Sequence, residues 1–193
     1  MYEKPWQVVA TEVKELGGLF KVRKDRVIMP KNGREYNVYA LCVADWVNVI
    51  PLTDDMQVVM VKQYRHGIRD FTLELPGGVI DSGDTPEGAA RRELMEETGF
   101  VAEKFELLGT VFPNPAIQTN KCYTYLACDA RKEKSQQLDE MEDIEVITIP
   151  LDLVADLIRK GEISHGLIMA AFCHLFVKKP KLLQLDRLDS FGK

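Results

Sequence analysis

The sequence predicts an α/β sandwich with a mixed sheet, preceded by a small antiparallel β domain. Three short segments between residues 7 and 43 alternate apolar and polar residues, which is the pattern of half-buried strands. From residue 46 onwards, more continuously apolar strand-like segments are interspersed with helical ones, which favours a sheet covered on both faces. We therefore expect a β domain over residues 1–45 and a larger α/β domain over residues 46–193.

The N-terminal strands are predicted at residues 7–13, 19–29 and 35–43. Gly17-Gly18 and Asn32-Gly33 separate them, and the second pair is a strong signal for a hairpin turn. Three short strands bury too little apolar surface to be stable alone. We therefore expect this sheet to pack against something larger.

The larger domain begins with two apolar strands at residues 46–52 and 57–63, joined by a turn at Asp54-Asp55. An apolar segment at residues 73–75 then runs through Pro76 into the double glycine Gly77-Gly78. A helix with clear start and end signals follows. The remaining predicted elements are strands at residues 105–112, 122–128 and 145–150 and helices at residues 151–159 and 165–177.

The helix that follows the double glycine has clear signals at both ends. Thr85 is a good N-cap, Pro86 suits the first helical position and Gly99 is a natural end. Three glutamates share an arc of roughly 100° on this helix, and they are Glu93, Glu96 and Glu97. Like charges three and four residues apart repel, and the C-terminal half of a helix disfavours anions further. That cost indicates a bound cation.

The residues from Gly78 to Phe100 fit the spacing Gly-x5-Glu-x7-Arg-Glu-hydrophobic-x-Glu-Glu-x-Gly-hydrophobic at all fixed positions except one. The matching residues are Gly78, Arg92, Glu93, Leu94, Glu96, Glu97, Gly99 and Phe100. Asp84 stands where the pattern has its first glutamate, outside the glutamate triplet, so we expect an altered supporting contact and an intact metal site. The segment resembles the Nudix box, which implies a Nudix α/β/α sandwich.

The resemblance also implies roles for individual side chains. Glu93 and Glu97 are expected to be the first metal ligands, Glu96 to bridge metals beside them, and the carbonyl of Gly77 to be a backbone ligand. Arg92 is expected to orient the glutamates by ion pairing. With Glu96 and Glu97 it joins the residues expected to be catalytic. Because hard cations prefer oxygen ligands, we expect Mg²⁺, with Mn²⁺ as the alternative.

A second acidic segment occupies residues 138–144, just before the last predicted strand. By itself such a run is usually a solvated loop. The ADP-ribose pyrophosphatases of the Nudix family carry a similar loop at this place, and that resemblance implies that Glu140 is a general base and Glu142 a further metal ligand. If the register of the loop differs, the alternatives are Asp139, Asp143 and Glu145.

Two segments are candidates for contacts with substrate. Arg65 ends the strand before the box, and its guanidinium suits phosphate oxygens, although an ion pair with Glu74 is the alternative. Pro115 matches the Ser-Pro-Gly motif that ADP-ribose hydrolases carry at this spacing, whereas its two neighbours, an asparagine and an alanine, do not, which weakens the case for ADP-ribose itself. An aromatic ring should stack on the base, and the candidates are Trp46, which we place first, Trp6, Tyr36 and Phe20.

Composition and charge exclude some functions. The net charge of −5 and the isoelectric point of about 5.3 provide no general electrostatic attraction to nucleic acid or to an anionic membrane. Neither a leader-like apolar segment nor a run of membrane-spanning length is visible, so we expect a cytoplasmic protein. The four cysteines show no CxxC spacing and lie in apolar segments, so we expect buried free thiols and no zinc site.

The order of elements over nearly the whole chain resembles the Nudix subgroup that hydrolyses ADP-ribose and related nucleoside diphosphate sugars to a nucleoside monophosphate and a sugar phosphate. In that subgroup an N-terminal β domain joins two subunits in an exchanged homodimer; the alternative is an extension of one subunit's own sheet. Other substrates in the same class are GDP-mannose, UDP-sugars, dinucleotides and capped RNA. Diphosphate isomerisation and non-catalytic sensing of a nucleotide sugar are less favoured, because both acidic segments are intact.

Overall fold

The computed structural model describes residues 4–16 and 20–183. They form two compact units. The first contains the residues up to Ala44 together with Phe112–Lys121, and the second contains Asp45–Val111 together with the residues from Cys122 onwards. The boundary near residue 45 is close to the predicted one, but the segment 112–121, which the sequence leaves in the larger domain, belongs to the first unit.

The first unit is built on a three-stranded antiparallel sheet of β1 (Gln7–Leu16), β2 (Phe20–Ile28) and β3 (Glu35–Cys42), in that order. The turn predicted at Asn32-Gly33 is present: Gly33 has a φ of 67° and its N–H donates to the carbonyl of Met29 at 2.9 Å. The predicted turn at Gly17-Gly18 and the predicted strand start at residue 19 lie outside the described residues.

The second unit contains nine strands and three α-helices among its described residues. The strands are β4 (Trp46–Leu52), β5 (Gln57–Arg65), β6 (Asp70–Glu74), β7 (Gly77–Val79), β8 (Phe100–Val101), β9 (Lys104–Val111), β10 (Cys122–Cys128), β11 (Arg131–Lys132) and β12 (Ile144–Pro150). The helices are α1 (Pro86–Thr98), α2 (Val154–Lys160) and α3 (Gly166–Lys178), with short 3-10 helices at Leu151–Leu153 and Pro180–Leu183.

Seven of these strands form one mixed sheet in the order β12-β5-β4-β10-β9, with β6 paired to β5 and β7 paired to β4. Only the β4–β10 pair is parallel. Val47 and Val49 face α1 and pack in a cluster with Leu94, whereas Ile50 lies in the cluster on the opposite face that includes Phe172 of α3. The predicted sandwich with helices on both faces of a mixed sheet is therefore confirmed.

The sheet divides where β4 and β5 separate. These two strands pair only at Leu52 and Val58, and beyond that point β6 continues along β5 while β7 continues along β4. The chain between β6 and β7 contains Pro76, whose carbonyl accepts from the N–H of Val49 at 2.9 Å. This separation places Arg65, at the end of β5, and Gly77, at the start of β7, on the same part of the sheet, where α1 covers it.

The sequence anticipated the long elements and missed the short ones. Strands β7, β8 and β11 have two or three residues each, too few for a periodic pattern. His165 is the N-cap residue of α3. The expectation of four buried thiols holds only for Cys122: Cys42 and Cys128 are half-buried, and Cys173 is exposed because it lies on the outer side of α3. None of the described helices is both long and apolar enough to span a membrane.

Candidate active site

Local hydrogen bonds fix both ends of α1. The Thr85 hydroxyl accepts from the N–H of Gly88 at 3.0 Å, and Pro86 is the first helical residue. At the other end, Gly99 adopts a φ of 73° and donates its N–H to the carbonyl of Met95 at 2.8 Å. The caps predicted from the sequence are therefore confirmed, and they fix where on α1 each glutamate lies.

Asp84 lies just before the helix, nine residues ahead of Glu93. Its Oδ1 accepts from the N–H of Thr85 at 2.7 Å. An acidic group is favourable there because the N-terminal end of a helix is positive. Asp84 thus supports the start of α1, whereas the three glutamates lie in the C-terminal half of the helix.

Acidic side chains from α1 and from the loop before β12 line one cavity of about 330 Å³. We call it the acidic cavity, and its lining includes Gly77 and Gly78 together with the charged residues Arg65, Arg92, Glu93, Glu97, Asp139 and Glu142. Of the three helical glutamates, Glu96 is outside this lining and half-buried. The structure thus brings together most of the predicted charged residues.

Glu97 is the most deeply buried of these carboxylates, with 4% of its surface exposed. Its Oε2 accepts from the N–H of Gly77 at 2.8 Å. Burial raises the pKa of Glu97 to about 8, and the neighbouring carboxylates of Glu93 and Glu142 act in the same direction. A carboxylate kept in such an unfavourable place is a candidate functional group.

Glu93 lies directly against Gly78. A Cβ atom on Gly78 would be only 2.4 Å from Glu93 Oε1 and 2.9 Å from Oε2, so any side chain there would displace the carboxylate. Burial also raises the pKa of Glu93, while Arg92 opposes that shift. The second glycine of the pair is therefore required for the position of Glu93, a close approach that only glycine permits.

Arg92 holds two of the three glutamates. Its Nη1 lies 2.9 Å from Glu93 Oε1 and 3.0 Å from Glu96 Oε2, and its Nη2 donates to the carbonyl of Val79 at 3.2 Å. The guanidinium is thus tied both to carboxylates of α1 and to the backbone of β7. This arrangement suits the orienting role that the sequence predicts.

The acidic loop contributes Asp139 and Glu142 to the cavity, but Glu140 is exposed and does not line it. The N–H of Asp139 donates to Glu142 Oε2 at 3.0 Å, and the N–H of Glu142 donates to the carbonyl of Asp139, also at 3.0 Å. These two bonds make a compact turn. The general base assigned to Glu140 and the ligand role assigned to Glu142 stay predictions.

Within the part of the chain that the structure describes, no three His, Cys, Asp or Glu side chains are arranged around one point as a metal site. The helical glutamates bond instead to Arg92 and to the N–H of Gly77. The donor chemistry nevertheless fits a hard divalent cation, because five carboxylates line one cavity and two of them, Glu93 and Glu97, are buried.

Arg65 makes the ion pair with Glu74 that the sequence left as an alternative. Its Nε and Nη2 donate to the two carboxylate oxygens of Glu74, each at 2.7 Å, and Glu74 is only 3% exposed. Glu74 also accepts from the hydroxyl of Thr72. This pairing fixes the guanidinium at the edge of the acidic cavity, where a contact with phosphate stays a prediction.

A second and larger cavity, of about 720 Å³, opens on the α3 side of the sheet, and we call it the outer cavity. Trp46 and Asn48 of β4 line it, and so does His165, whose Nδ1 accepts from the N–H of Leu167 at 3.2 Å. Arg65 and β7 line both cavities. The two cavities therefore meet along the double glycine.

Pro115 belongs to the first unit, where it lines a cavity of about 390 Å³ together with Arg23 and Tyr39. Two of the other aromatic candidates, Trp6 and Tyr36, pack against each other in that unit with ring centroids 6.2 Å apart. Their roles in substrate binding stay predictions.

Sequence reasoning missed one residue that touches the site from outside the box. The side-chain amide of Gln136 donates to the carbonyl of Glu97 at 2.7 Å and to the carbonyl of Ile144 at 3.0 Å. Nothing in a run of polar residues signals such a contact, because it depends on the tertiary position of the loop.

Comparison with known proteins shows the family of the chain. The family model described as the NUDIX domain matches residues 44–172. An ADP-ribose pyrophosphatase from Bacillus subtilis (strain 168) is 31% identical over 134 residues, which cover 69% of this chain and 72% of the relative. A methanol dehydrogenase activator from Bacillus methanolicus is 31% identical over 170 residues, which cover 88% and 91% of the two chains.

A solved structure described as an ADP compounds hydrolase superposes with a TM-score of 0.80 over 89% of this chain and 92% of the other. The sequence identity is 24%, so this likeness concerns the fold. It covers more of the chain than the family model does, which supports the fold of both units as described above.

Proposed function

Because the chain belongs to the Nudix family, we propose that it hydrolyses the pyrophosphate bond of a nucleoside diphosphate sugar of the ADP-ribose type. The products are a nucleoside monophosphate and a sugar phosphate. The observation that carries the proposal is the acidic cavity, in which buried Glu93 and Glu97 stand over a double glycine and beside an arginine. Names of relatives support the substrate class, since they include ADP-ribose and ADP-sugar pyrophosphatases.

The residues of the acidic cavity fit a divalent cation, which we propose to be Mg²⁺ with Mn²⁺ as the alternative. Glu93, Glu97 and Glu142 would hold it, with Glu96 and the carbonyl of Gly77 as further ligands. When bound, such a cation polarises the P–O bonds and favours ionisation of water. The carboxylates of the cavity would attract the cation. The cation would in turn offset the repulsion between this acidic protein and an anionic substrate.

The chain's own residues position the substrate. Gly77 and Gly78 carry no side chain, so the carbonyl of Val47 and the carboxylate of Glu93 can lie directly against β7 and stay in place beside the diphosphate. Arg65, held by Glu74, presents a fixed positive charge to the diphosphate. Arg92 keeps Glu93 and Glu96 in place. Water attacks one phosphorus, the bond from that phosphorus to the bridging oxygen breaks, and Glu140 accepts the proton of the water.

The outer cavity would receive one end of the substrate. It shares Arg65 and the double glycine with the acidic cavity, so a diphosphate at that junction would direct one of its substituents into it. Its volume of about 720 Å³ is in the range of small-molecule sites. Trp46 is the stacking candidate there. We expect Trp46→Ala to raise KM with little change in kcat.

We also propose a homodimer that uses the three-stranded sheet. Several apolar side chains of this sheet are exposed in the single chain, including Val13 at 55%, Leu16 at 57% and Phe20 at 51%. Exposed apolar groups in this number are typical of an association surface. Light scattering coupled to gel filtration tests this: a dimer that Val13→Lys converts to a monomer supports the proposal, and a monomeric wild type contradicts it.

A cytoplasmic location is part of the same proposal. All four cysteines are unpaired, which fits a reducing compartment. Cell fractionation of the tagged protein tests it, and recovery in the membrane or in the medium would contradict it.

The test of the reaction is a product assay with ADP-ribose, GDP-mannose and UDP-glucose, each with and without Mg²⁺. Anion-exchange chromatography measures the nucleoside monophosphate released. Glu97→Gln should lose activity, whereas Glu87→Gln, on the exposed N-terminal turn of the same helix, should keep it. If no substrate is hydrolysed while ADP-ribose still binds, the nucleotide-sugar sensor replaces the enzyme as the better account.

A further inference from the structure

The segment between β11 and the acidic loop closes the C-terminal end of α1. The last carbonyls of a helix have no partner inside it. Here the N–H of Gln137 donates to the carbonyl of Glu96 at 2.8 Å, and the side-chain amide of Gln136 donates to the carbonyl of Glu97 at 2.7 Å. Two consecutive glutamines therefore bind the backbone of two consecutive glutamates of the acidic site.

The amide of Gln136 makes a second bond, to the carbonyl of Ile144 at 3.0 Å. Ile144 is the first residue of β12 and is buried. One NH₂ group thus uses both of its hydrogens to join the end of α1 to the start of β12. The chain over residues 137–143, which carries the acidic side chains of the loop, is therefore anchored at both ends by the bonds of Gln136.

The loop itself is held much less firmly. Its two hydrogen bonds described above join Asp139 and Glu142 within the loop. Residues 139–143 are exposed, and Met141 at the tip is 92% exposed. The position of the loop carboxylates relative to Glu97 therefore depends on how the two ends of the loop are anchored.

We propose that Gln136 is a positioning residue, which sets the distance between the loop carboxylates and the glutamates of α1 by tying both loop ends to the helix. This inference rests on the proposed hydrolase function. It assigns no contact with substrate to Gln136. Its effect passes through the backbone of Glu97 and through the loop, so it should change catalysis only while the loop carboxylates take part in it.

The test compares Gln136→Met with Gln137→Met. The two substitutions are chemically identical and adjacent, but only the first removes the side-chain hydrogen bonds described above, because Gln137 bonds to Glu96 through its backbone N–H and its side chain is exposed. We expect Gln136→Met to lower kcat by roughly tenfold to a hundredfold, as is usual for residues that orient functional groups. KM should change little, and Gln137→Met should behave as wild type.

A double-mutant cycle separates positioning from simple destabilisation. In a background of Glu140→Gln with Glu142→Gln, the loop has lost its carboxylates, and Gln136→Met should then have almost no further effect on kcat. If Gln136→Met keeps the wild-type kcat, or if its loss is the same in both backgrounds, the inference is wrong.

Failure of the proposed function would look different, because the wild type itself would then release no product from any nucleotide sugar.

A lower Tm alone does not account for the expected pattern. A merely destabilised protein loses active molecules equally in both backgrounds, and active-site titration with a tight-binding substrate analogue corrects for that loss. Gln136→Asn, which keeps the amide on a shorter side chain, should recover part of the lost rate if one of the two bonds re-forms.

Discussion

The acidic site combines two sets of carboxylates that are held in opposite ways. On α1, Glu93 and Glu97 are at most 8% exposed, and their oxygens bond to Arg92 and to the N–H of Gly77. In the loop before β12, the acidic residues from Asp139 to Asp143 are exposed, and the bonds of Asp139 and Glu142 remain within the loop. One set is buried and held by these contacts, whereas the other is anchored only at its two ends.

This difference separates two tasks. Carboxylates whose movement is already restricted lose little further freedom when they bind a cation. Burying several carboxylates together opposes folding, so the helix must hold them by packing and by Arg92. A group that accepts a proton from water needs access to solvent and freedom to approach, which an exposed loop allows. For the proposed hydrolase we therefore expect the helix to serve mainly in binding the cation and the loop mainly in proton transfer.

The strongest test of this division is Glu97→Gln. Loss of a ligand should remove several kcal/mol of transition-state stabilisation, which corresponds to a fall in kcat of about a thousandfold or more. Glutamine has nearly the same shape and no charge to bury, so the free protein should keep its Tm. Steady-state kinetics and thermal denaturation with and without Mg²⁺ measure both effects. Wild-type rates in this variant would overturn the assignment of the site.

Removal of single loop carboxylates should separate their roles. Glu140→Gln is expected to lower kcat by about a hundredfold, in the range for a general base, while the Mg²⁺ concentration for half-maximal rate stays unchanged. Glu142→Gln should instead raise that concentration by about tenfold to a hundredfold. Met141→Ala, at the exposed tip between them, is the control and should match wild type. An exchange of the two patterns would exchange the roles of Glu140 and Glu142.

The helix was readable from the sequence because its signals are local. Thr85, Pro86 and Gly99 act through neighbouring backbone, and the spacing of Glu93, Glu96 and Glu97 fixes their common face. The family model and the relatives confirm the Nudix family that this helix and its flanks indicated, while the roles of the individual side chains stay predictions.

The tertiary contacts of the site could not be read in the same way. That Gly78 touches Glu93, or that Gln136 reaches Ile144, depends on how distant segments pack, and one sequence contains no signal for it. The grouping of Phe112–Lys121 with the first unit was missed for the same reason, since its partner Leu41 is more than seventy residues away.

A smaller effect is expected from Gly78→Ala, which tests how finely the helical carboxylates are placed. The added Cβ would be 2.4 Å from Glu93 Oε1, so the carboxylate must move by about an ångström or more. A displacement of that size can cost on the order of a hundredfold in rate, and we expect a fall of tenfold to a hundredfold. The φ of Gly78 is not positive, so the backbone can accept alanine.

The measurements for Gly78→Ala are kcat, the Mg²⁺ concentration for half-maximal rate, and Tm. A displaced Glu93 predicts weaker use of Mg²⁺ with a Tm close to that of wild type. If the rate and the Mg²⁺ dependence both stay at wild-type values, Glu93 does not need its observed position, and the helical set is less fixed than the contacts suggest.

Arg92→Lys tests how much ion pairing contributes to the positions of the helical carboxylates, because the Arg92 side chain binds two of them at once. Lysine keeps the positive charge but cannot reach Glu93, Glu96 and the carbonyl of Val79 together, as the guanidinium does. If Arg92 acts by geometry, kcat should fall by about tenfold, and Arg92→Ala should cost more because two acidic groups also lose their counter-charge. If Arg92→Lys has the wild-type rate and only Arg92→Ala is impaired, charge alone suffices. The helical carboxylates would then owe their positions to burial and to Gly77 and Gly78. The helix and the loop would differ in how their carboxylates are packed, and the geometry of ion pairing would not contribute to the difference.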